Sequence, residues 1–162
     1  GENPADVPSE HILRDKSVLI VGAGGAARAI ALSLVKQPVA RVDVTNRTHD
    51  RAEEAVQLVH NISIGAAVFA IQAADIDFQH YDIVINATSL GLHESDEMPL
   101  NINLLRSDCL VCDIIMIPER TALITAAQRS SRPVHIGRYM LDYQVDLIGE
   151  FIGAYEKTID QA

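Results

Sequence analysis

The sequence predicts an α/β fold in which helices cover both faces of a doubly wound, mainly parallel sheet. Hydrophobic runs of strand length alternate along the chain with segments whose apolar residues recur at helical spacing. Two of these runs, residues 18–21 and 83–85, are apolar at every position, which is typical of strands buried on both faces. The first run leads directly into glycines and an alanine-rich segment, so a strand, a tight turn and a helix are expected there.

The same patterns assign the individual elements. Strands are predicted over residues 17–21, 41–45, 66–70, 82–86, 110–114 and 133–136. The first helix, 25–35, ends before Pro38, because a residue that precedes proline disfavours helical backbone. The second helix, 50–60, has an apolar face formed by Ala52, Ala55, Val56 and Val59. Two further helices are predicted over 121–131 and 138–157, and a short helix near 9–14 within a polar lead-in, residues 1–15.

Length and composition limit the classes of protein to which this chain can belong. A chain of 162 residues suggests one domain, which would span residues 16–162 after the lead-in. Its net charge of −9 and its lack of a basic block argue against nucleic acid or an anionic membrane surface as a partner. The chain contains no apolar run of about 18 residues and no visible signal peptide, so no membrane span is expected.

The cysteines and histidines are expected to play no chemical role. Cys109 and Cys112 spell C-x-x-C, but they fall within an apolar, strand-like run rather than in a thioredoxin-like context. Only these two cysteines occur, so we expect a reduced, cytoplasmic protein. The six histidines are scattered without the spacing of metal ligands, and no metal site is predicted.

Residues 22–27, Gly-Ala-Gly-Gly-Ala-Ala, match the turn at which a strand meets a helix beside a dinucleotide pyrophosphate. Gly22 permits the tight turn, Gly24 lets the pyrophosphate approach the backbone, and the small Ala27 lets the helix pack on the sheet. Backbone N–H groups at the helix N-terminus would then bind the anion. A purely structural glycine turn is the alternative. The predicted cofactor contacts in this loop are Gly22, Ala23, Gly24, Gly25 and Ala26.

The residues after the second strand indicate which dinucleotide is bound. An NAD site usually places Asp or Glu there, where the carboxylate bonds the ribose 2′-hydroxyl. This chain has Asn46, Arg47 and Thr48, with Arg51 one turn into the next helix, and these groups suit a 2′-phosphate. The competing acid, Asp43, lies in mid-strand, too early for the ribose. The sequence therefore favours NADP (NADPH) over NAD, with two solvated arginines as the alternative.

Small polar residues follow the strand 82–86 at the sheet edge where open α/β sheets bind their ligands. Asn86, Ala87, Thr88 and Ser89 are predicted to line a ribose or nicotinamide pocket. The alternative is an ordinary turn stabilised by asparagine or threonine side chains.

Five segments, taken in order, resemble the nucleotide-binding domain of shikimate dehydrogenases and of the related quinate/shikimate dehydrogenases. They are residues 18–29, 46–53, 85–91, 111–123 and 137–144. The resemblance implies a Rossmann-type domain that binds NADP, with Ile114 and Gly137 near the nicotinamide and Gln144 contacting the substrate. It also implies that the intact enzyme transfers a hydride between NADPH and the ring ketone of 3-dehydroshikimate, the product being shikimate. A cyclic hydroxy acid of the shikimate or quinate type is then the expected small-molecule partner.

Two departures from the family pattern matter. Family members usually carry a substrate-contacting tyrosine at the position where this chain has Met116. They also have an N-terminal substrate domain with a lysine–aspartate pair, whereas Lys16, Lys36 and Lys157 lie in no matching motif. No catalytic residue is therefore assigned in this chain, and we expect the chain alone to bind the cofactor but to be inactive.

Two other functions and one assembly remain open. A non-catalytic nucleotide-sensing domain derived from the same family would explain both departures. An acyl reductase of the glutamyl-tRNA type shares a related nucleotide domain, but it needs a catalytic cysteine outside the sheet. The helix 138–157 carries a broad apolar surface, which either packs on the sheet or forms a homodimer contact.

Overall fold

Six parallel strands form the central sheet of the structure, a computed structural model that describes residues 13–139. The order of the strands across the sheet is β3-β2-β1-β4-β5-β6. The chain therefore builds outward from β1 in one direction and then in the other, which confirms the predicted doubly wound arrangement. The strands are β1 (Ser17–Val21), β2 (Arg41–Thr45), β3 (Val68–Ala70), β4 (Ile83–Asn86), β5 (Leu110–Asp113) and β6 (Val134–His135).

Helices and short 3₁₀ turns connect the strands. The α-helices are α1 (Gly25–Leu34), α2 (His49–Ile62) and α3 (Ala122–Arg129), and the 3₁₀ turns are Ala73–Asp75, Phe78–His80 and Ile102–Leu104. Within residues 13–139, no helix has the length and apolar character needed to cross a membrane.

Both faces of the sheet are buried. Along β1, Val18 and Ile20 belong to one hydrophobic cluster, which includes residues of α1 and α2. Leu19 belongs to a second cluster, which includes residues of α3. Because successive side chains of a strand point to opposite faces, the two clusters lie on opposite sides of the sheet. All three side chains are completely buried, as the unbroken apolar run predicts.

The predicted strands are all found, with changes at their ends. β1 and β2 occupy the predicted residues, and β4 and β5 are each one residue shorter than predicted. The strands predicted at 66–70 and 133–136 are reduced to three and two residues. Both lie at the edges of the sheet, where a single neighbour pairs with each of them.

The predicted helices agree to a similar degree. α2 begins one residue before the predicted span 50–60 and ends two residues after it. α3 begins after Thr121, whose hydroxyl oxygen accepts a hydrogen bond from the N–H of Ile124 and so caps the helix. Two predicted helices, near 9–14 and at 138–157, fall largely outside the described residues and remain predictions. The homodimer contact assigned to the second of them also remains a prediction.

A buried carboxylate joins β2 to the segment before β4. Asp43 is 1% exposed; its oxygens accept hydrogen bonds from Nε of Arg41 at 2.8 and 2.9 Å and from the hydroxyl of Tyr81 at 2.7 Å. The Arg41 guanidinium carbon also lies 4.4 Å from the ring centroid of Phe69. Burial, followed by the bond to Asp43, raises the pKa of the Tyr81 phenol above its ordinary value. Asp43 is therefore engaged within the sheet.

Replacing Tyr81 by phenylalanine is expected to lower the free energy of unfolding by about 1–3 kcal/mol near neutral pH, because a buried carboxylate oxygen loses a donor. The raised pKa means that the folded state favours the neutral phenol. This stabilisation is complete below the pKa of the unfolded phenol and is lost as the pH rises above it, so the difference between wild type and Tyr81→Phe should shrink above about pH 10. Urea unfolding at neutral and alkaline pH measures both effects.

Tyr139→Phe is the matched control for this prediction, because Tyr139 is 48% exposed. Its hydroxyl is expected to contribute less than about 0.5 kcal/mol to the free energy of unfolding. Equal losses in the two variants, or a Tyr81 effect that stays constant with pH, would contradict the role assigned to the buried hydroxyl.

Candidate functional site

The carboxyl ends of β1, β2 and β4 surround an open cleft with a volume of about 660 Å³. β1 lies between the other two strands, and Val21 is in register with Thr45 on one side and with Asn86 on the other. The loops after these strands diverge here, as they do at the crevice where doubly wound sheets bind their ligands. The walls are formed by residues 21–24, 45–48, Arg51, Ala73, Ile76, Phe78, 87–90, Pro99 and Leu100.

Gly22 forms the turn at the base of the cleft. Its φ is +116°, which side chains strongly disfavour, and a Cβ there would lie 2.6 Å from the carbonyl oxygen of Ala87. The N–H of Gly22 donates to the carbonyl of Thr45, and the N–H of Ala87 donates to the carbonyl of Val21, each at 2.8 Å. The backbones at three strand ends are thus joined at one point that has no room for a side chain.

Gly24 is the N-cap of α1, and its φ of −76° is ordinary. A Cβ built on Gly24 or Gly25 meets no atom within 4 Å in the described structure, so the space beside the helix start is open. The Gly24 position offers no side-chain cap, and the first turn of α1 contains no acidic residue. Its free N–H groups and partial positive charge therefore suit an anion. The predicted contacts Gly25 and Ala26 lie exposed in this turn, next to the residues that line the cleft.

Two guanidiniums lie on one side of the cleft. Arg47 and Arg51 both line it, both are exposed, and neither forms an ion pair or a side-chain hydrogen bond within residues 13–139. Nδ2 of Asn46 donates to the carbonyl of Thr48 at 2.9 Å and so shapes the turn into α2, while the Thr48 hydroxyl makes no capping hydrogen bond. No carboxylate occurs among the described residues that line the cleft. The structure thus brings the four residues predicted after the second strand to one side of the cleft.

An apolar wall that the sequence patterns did not indicate completes the cleft. Ala73, Ile76 and Phe78 belong to the connection between β3 and β4, and Pro99 and Leu100 follow the loop after β4. The connection is built from 3₁₀ turns, which show neither the helical nor the strand period, so spacing gives no signal there. The only available signal was the apolar type of residues 76 and 78 between polar neighbours. Such a wall suits the planar base of a nucleotide.

Asn86 lies beneath the cleft and not in its lining. It is 0% exposed. Its Oδ1 accepts hydrogen bonds from the N–H and the hydroxyl of Thr88 at 3.1 and 2.7 Å. Its Nδ2 donates to the carbonyl of Leu90 and to Oδ1 of Asp113, both at 3.1 Å. Residues 87–89, predicted together with Asn86, do line the cleft, and Asn86 shapes the loop that carries them.

The remaining predicted residues lie along the loop after β5 or beyond the described chain. A Cβ on Gly137 would lie 2.6 Å from both the carbonyl carbon and the carbonyl oxygen of Ile114, so these two backbones are in close contact. Neither residue is among those described as lining the cleft. Met116 is 37% exposed in the same loop. Gln144 lies outside the described residues.

A larger cavity, of about 930 Å³, lies between the loop 91–98 and α3. It shares no lining residue with the cleft, and none of the predicted site residues lines it. The smaller cleft is therefore the candidate site, because the glycine turn and both arginines meet there.

The two cysteines are not poised for reaction. Burial raises the pKa of Cys109 to about 11 and that of Cys112 to about 12, so neither thiol ionises near neutral pH. Among the described residues, no group of three His, Cys, Asp or Glu side chains is placed to hold a metal ion. Neither cysteine is among the residues that line the cleft.

Comparison with known sequences identifies a family to which this chain is similar. A family model described as shikimate / quinate 5-dehydrogenase matches residues 8–114. The shikimate dehydrogenase (NADP(+)) of Bacillus licheniformis is 37% identical over 150 residues, which make up 92% of this chain and 53% of that protein. The chain thus spans about half the length of the curated relatives that it matches.

Solved structures agree with this match. A shikimate dehydrogenase in complex with NADP⁺ has a TM-score of 0.79 and 32% identity, over 88% of this chain and 50% of that one. A quinate dehydrogenase from Corynebacterium glutamicum in complex with NAD has a TM-score of 0.78 and 29% identity, over 86% of this chain and 51% of that one. From the family match and the shared fold together, the chain belongs to the shikimate / quinate 5-dehydrogenase family.

Proposed function

We propose that this chain binds NADP(H) in the cleft and serves as the cofactor-binding part of a shikimate dehydrogenase-like oxidoreductase. The observation that carries the proposal is that Arg47 and Arg51, which form no ion pair within residues 13–139, lie at a cleft whose described lining contains no carboxylate. A 2′-phosphate offers these groups charged oxygens in a geometry that arginine binds well. The 2′-hydroxyl of NAD would find no carboxylate acceptor there.

Relatives support the choice of cofactor without deciding it. The Bacillus licheniformis relative is named for NADP(+), and one solved shikimate dehydrogenase holds NADP⁺. The solved quinate dehydrogenase holds NAD instead. Because the two solved relatives hold different cofactors, the preference for NADP proposed for this chain depends on its own residues after β2.

The pyrophosphate is proposed to lie at the start of α1. There the backbone N–H groups of Gly24, Gly25 and Ala26 would donate to phosphate oxygens, and the helix dipole favours the negative charge. The open space where the Cβ atoms of Gly24 and Gly25 would lie lets the ligand approach the backbone. Beside it, Asn46, Thr48 and the two arginines would bind the 2′-phosphate, and the apolar wall would contact the adenine.

The nicotinamide end is proposed to lie toward the loops after β4 and β5. Thr88 and Ser89 would hold the ribose or the nicotinamide, and Ile114 and Gly137 would lie near the ring. When bound, the nicotinamide supplies or accepts the hydride. The residues of this chain would hold the ring in place, with apolar neighbours that limit access of water.

The substrate is proposed to be a cyclic hydroxy acid of the shikimate or quinate type, contacted by Gln144 and Met116. A thioether is only a weak acceptor, so Met116 would offer an apolar contact where the family's tyrosine offers a hydroxyl. Within residues 13–139 no lysine lines the cleft. Nζ of Lys16 lies 3.5 Å from Oδ1 of Asp82, beside the amino ends of β1 and β4, whereas the cleft lies at the carboxyl ends of the strands.

The chain by itself is expected to bind NADPH but to oxidise shikimate at no measurable rate, since no lysine of the described cleft would move the proton. A fluorescence titration with NADPH tests the first statement. An assay of NADP⁺ reduction, with shikimate and with quinate, tests the second. Steady oxidation of either acid by this chain alone would contradict the proposal that this chain binds the cofactor but does not supply the group that moves the proton.

Arg47→Ser and Arg51→Ser are each expected to weaken NADPH binding about tenfold or more, because a hydrogen bond to a charged group is worth roughly 1.5–3 kcal/mol. The affinity for NADH should not change, since it lacks the 2′-phosphate. Parallel fluorescence titrations with the two cofactors measure the difference.

Arg129→Ser is the matched control, because Arg129 is an exposed cation on α3 outside the cleft. It removes the same charge and should change either affinity less than about twofold, as expected for a screened surface charge. Equal losses of NADPH and NADH affinity in the Arg47 and Arg51 variants would exclude the 2′-phosphate role.

Gly24→Ala is expected to leave the unfolding midpoint unchanged and to weaken NADPH binding about tenfold, equivalent to ~1.4 kcal/mol. A Cβ at this position meets no described atom and its φ is ordinary, so only a ligand would be obstructed. Gly22→Ala is the contrasting variant, in which strain and a clash with Ala87 should lower stability by about 1–3 kcal/mol. Comparable destabilisation by both variants, with unaltered binding in Gly24→Ala, would count against the proposed pyrophosphate site.

A further inference from the structure

Asp113, at the end of β5, carries a buried carboxylate that is not among the proposed cofactor contacts. It is 3% exposed. Its Oδ1 accepts hydrogen bonds from Nδ2 of Asn86 at 3.1 Å and from the N–H of Ile115 at 3.0 Å; its Oδ2 accepts one from the hydroxyl of Thr121 at 2.7 Å. Burial raises the pKa of Asp113, and these hydrogen bonds oppose the rise. Because all three partners donate, the ionised carboxylate, which only accepts, is the form that satisfies them.

The three donors come from three segments at the carboxyl edge of the sheet. Asn86 ends β4, Ile115 lies in the loop after β5, and Thr121 caps α3. The loop after β4 also approaches the other two segments, because a Cβ on Gly91 would lie 3.2 Å from the side chain of Ile115 and 3.4 Å from that of Thr121. Asp113 is thus the common acceptor at the point where these segments meet.

From Asn86 the hydrogen bonds continue into the wall of the cleft. The amide oxygen accepts from the N–H and the hydroxyl of Thr88, and that hydroxyl oxygen accepts from the N–H of Leu90 at 3.0 Å. An asparagine amide has one accepting and one donating end, and the two ends can exchange places when the group turns over. The carboxylate of Asp113 and the carbonyl of Leu90 both accept from the NH₂ group, each at 3.1 Å, and this orientation leaves the amide oxygen for Thr88.

We infer that Asp113 is a positioning residue of the cofactor site, which holds residues 88–90 in their cleft-lining shape by orienting the Asn86 amide. The inference rests on the proposed function, since it takes the cleft to be the NADP(H) site. Without the carboxylate, the Leu90 carbonyl is the one described acceptor left to the Asn86 NH₂ group. The amide is then held less firmly, and the acceptors of the Thr88 and Leu90 N–H groups are less ordered. Removal of the carboxylate is therefore expected to disorder the ligand-binding loop, residues 88–90, in addition to any decrease in the free energy of unfolding.

Asp113→Ala and Asp113→Asn distinguish this role from a contribution to stability. Alanine removes every acceptor. Asparagine keeps an oxygen for Asn86 and Ile115 and can turn its NH₂ group toward Thr121, whose hydroxyl oxygen can accept. Asp43→Ala is the matched control, because Asp43 is similarly buried and hydrogen-bonded but lies in mid-strand, outside the cleft lining.

Two measurements are made on each variant of the 162-residue chain. Exchange of individual backbone amides with D₂O, followed by NMR, reports on the loop without any ligand. Titration with NADPH reports on the site. In Asp113→Ala, the amides of Thr88 and Leu90 are expected to exchange about tenfold faster and NADPH to bind about tenfold more weakly, as for the loss of one buried hydrogen bond. Asp113→Asn and Asp43→Ala should leave both quantities within about threefold of wild type.

The outcomes separate this inference from the proposed function. Equal acceleration in Asp113→Ala and Asp43→Ala, or none in either, would overturn the positioning role even if NADPH binds normally. A wild-type chain that fails to bind NADPH would overturn the proposed function, and with it the assignment of Asp113 to a cofactor site, whatever the exchange rates show.

A second variant keeps the inference testable if Asp113→Ala does not fold. Thr88→Val interrupts the same series of hydrogen bonds at its solvent-facing end and keeps the side-chain shape. Faster exchange of the Leu90 amide in the absence of ligand is expected from it, because that N–H donates to the Thr88 hydroxyl. An unchanged exchange rate would overturn the inference.

Discussion

The close approach of Gly22 to Ala87 is the constraint on which the cleft depends. β1 pairs with β2 and β4 at once, and the N–H groups of Gly22 and Ala87 extend these pairings one residue beyond the strands. A Cβ on Gly22 would lie 2.6 and 2.8 Å from the carbonyl oxygen and carbon of Ala87. Only a residue without a side chain lets the three strand ends stay together while their loops diverge, and that divergence opens the cleft.

Features that depend on neighbours in the chain could be predicted from the sequence, and features that depend on distant partners could not. β1, the glycine turn and the arginines after β2 form one local pattern, so their places followed from residue order. Asn86 was correctly expected at a strand end, but not beneath the cleft. Its side chain is held by the nearby Leu90 carbonyl and by Asp113, 27 residues further along the chain, which no periodicity links to it. The wall at residues 73–78 was missed for a related reason, since its 3₁₀ turns have no repeating pattern.

Under the proposed function, the construction of the cleft and the choice of cofactor depend on different residues. Gly22, Asn86 and Asp113 are buried and bonded to their neighbours, so changing them disturbs the backbone. Arg47 and Arg51 are exposed and have no described internal partner, and exchange of such side chains usually costs little folding free energy. Under the proposed function, exchange of these two arginines would change the cofactor preference and leave the cleft intact. The solved relatives are consistent with this separation, because the NADP⁺ and NAD complexes match the chain with TM-scores of 0.79 and 0.78.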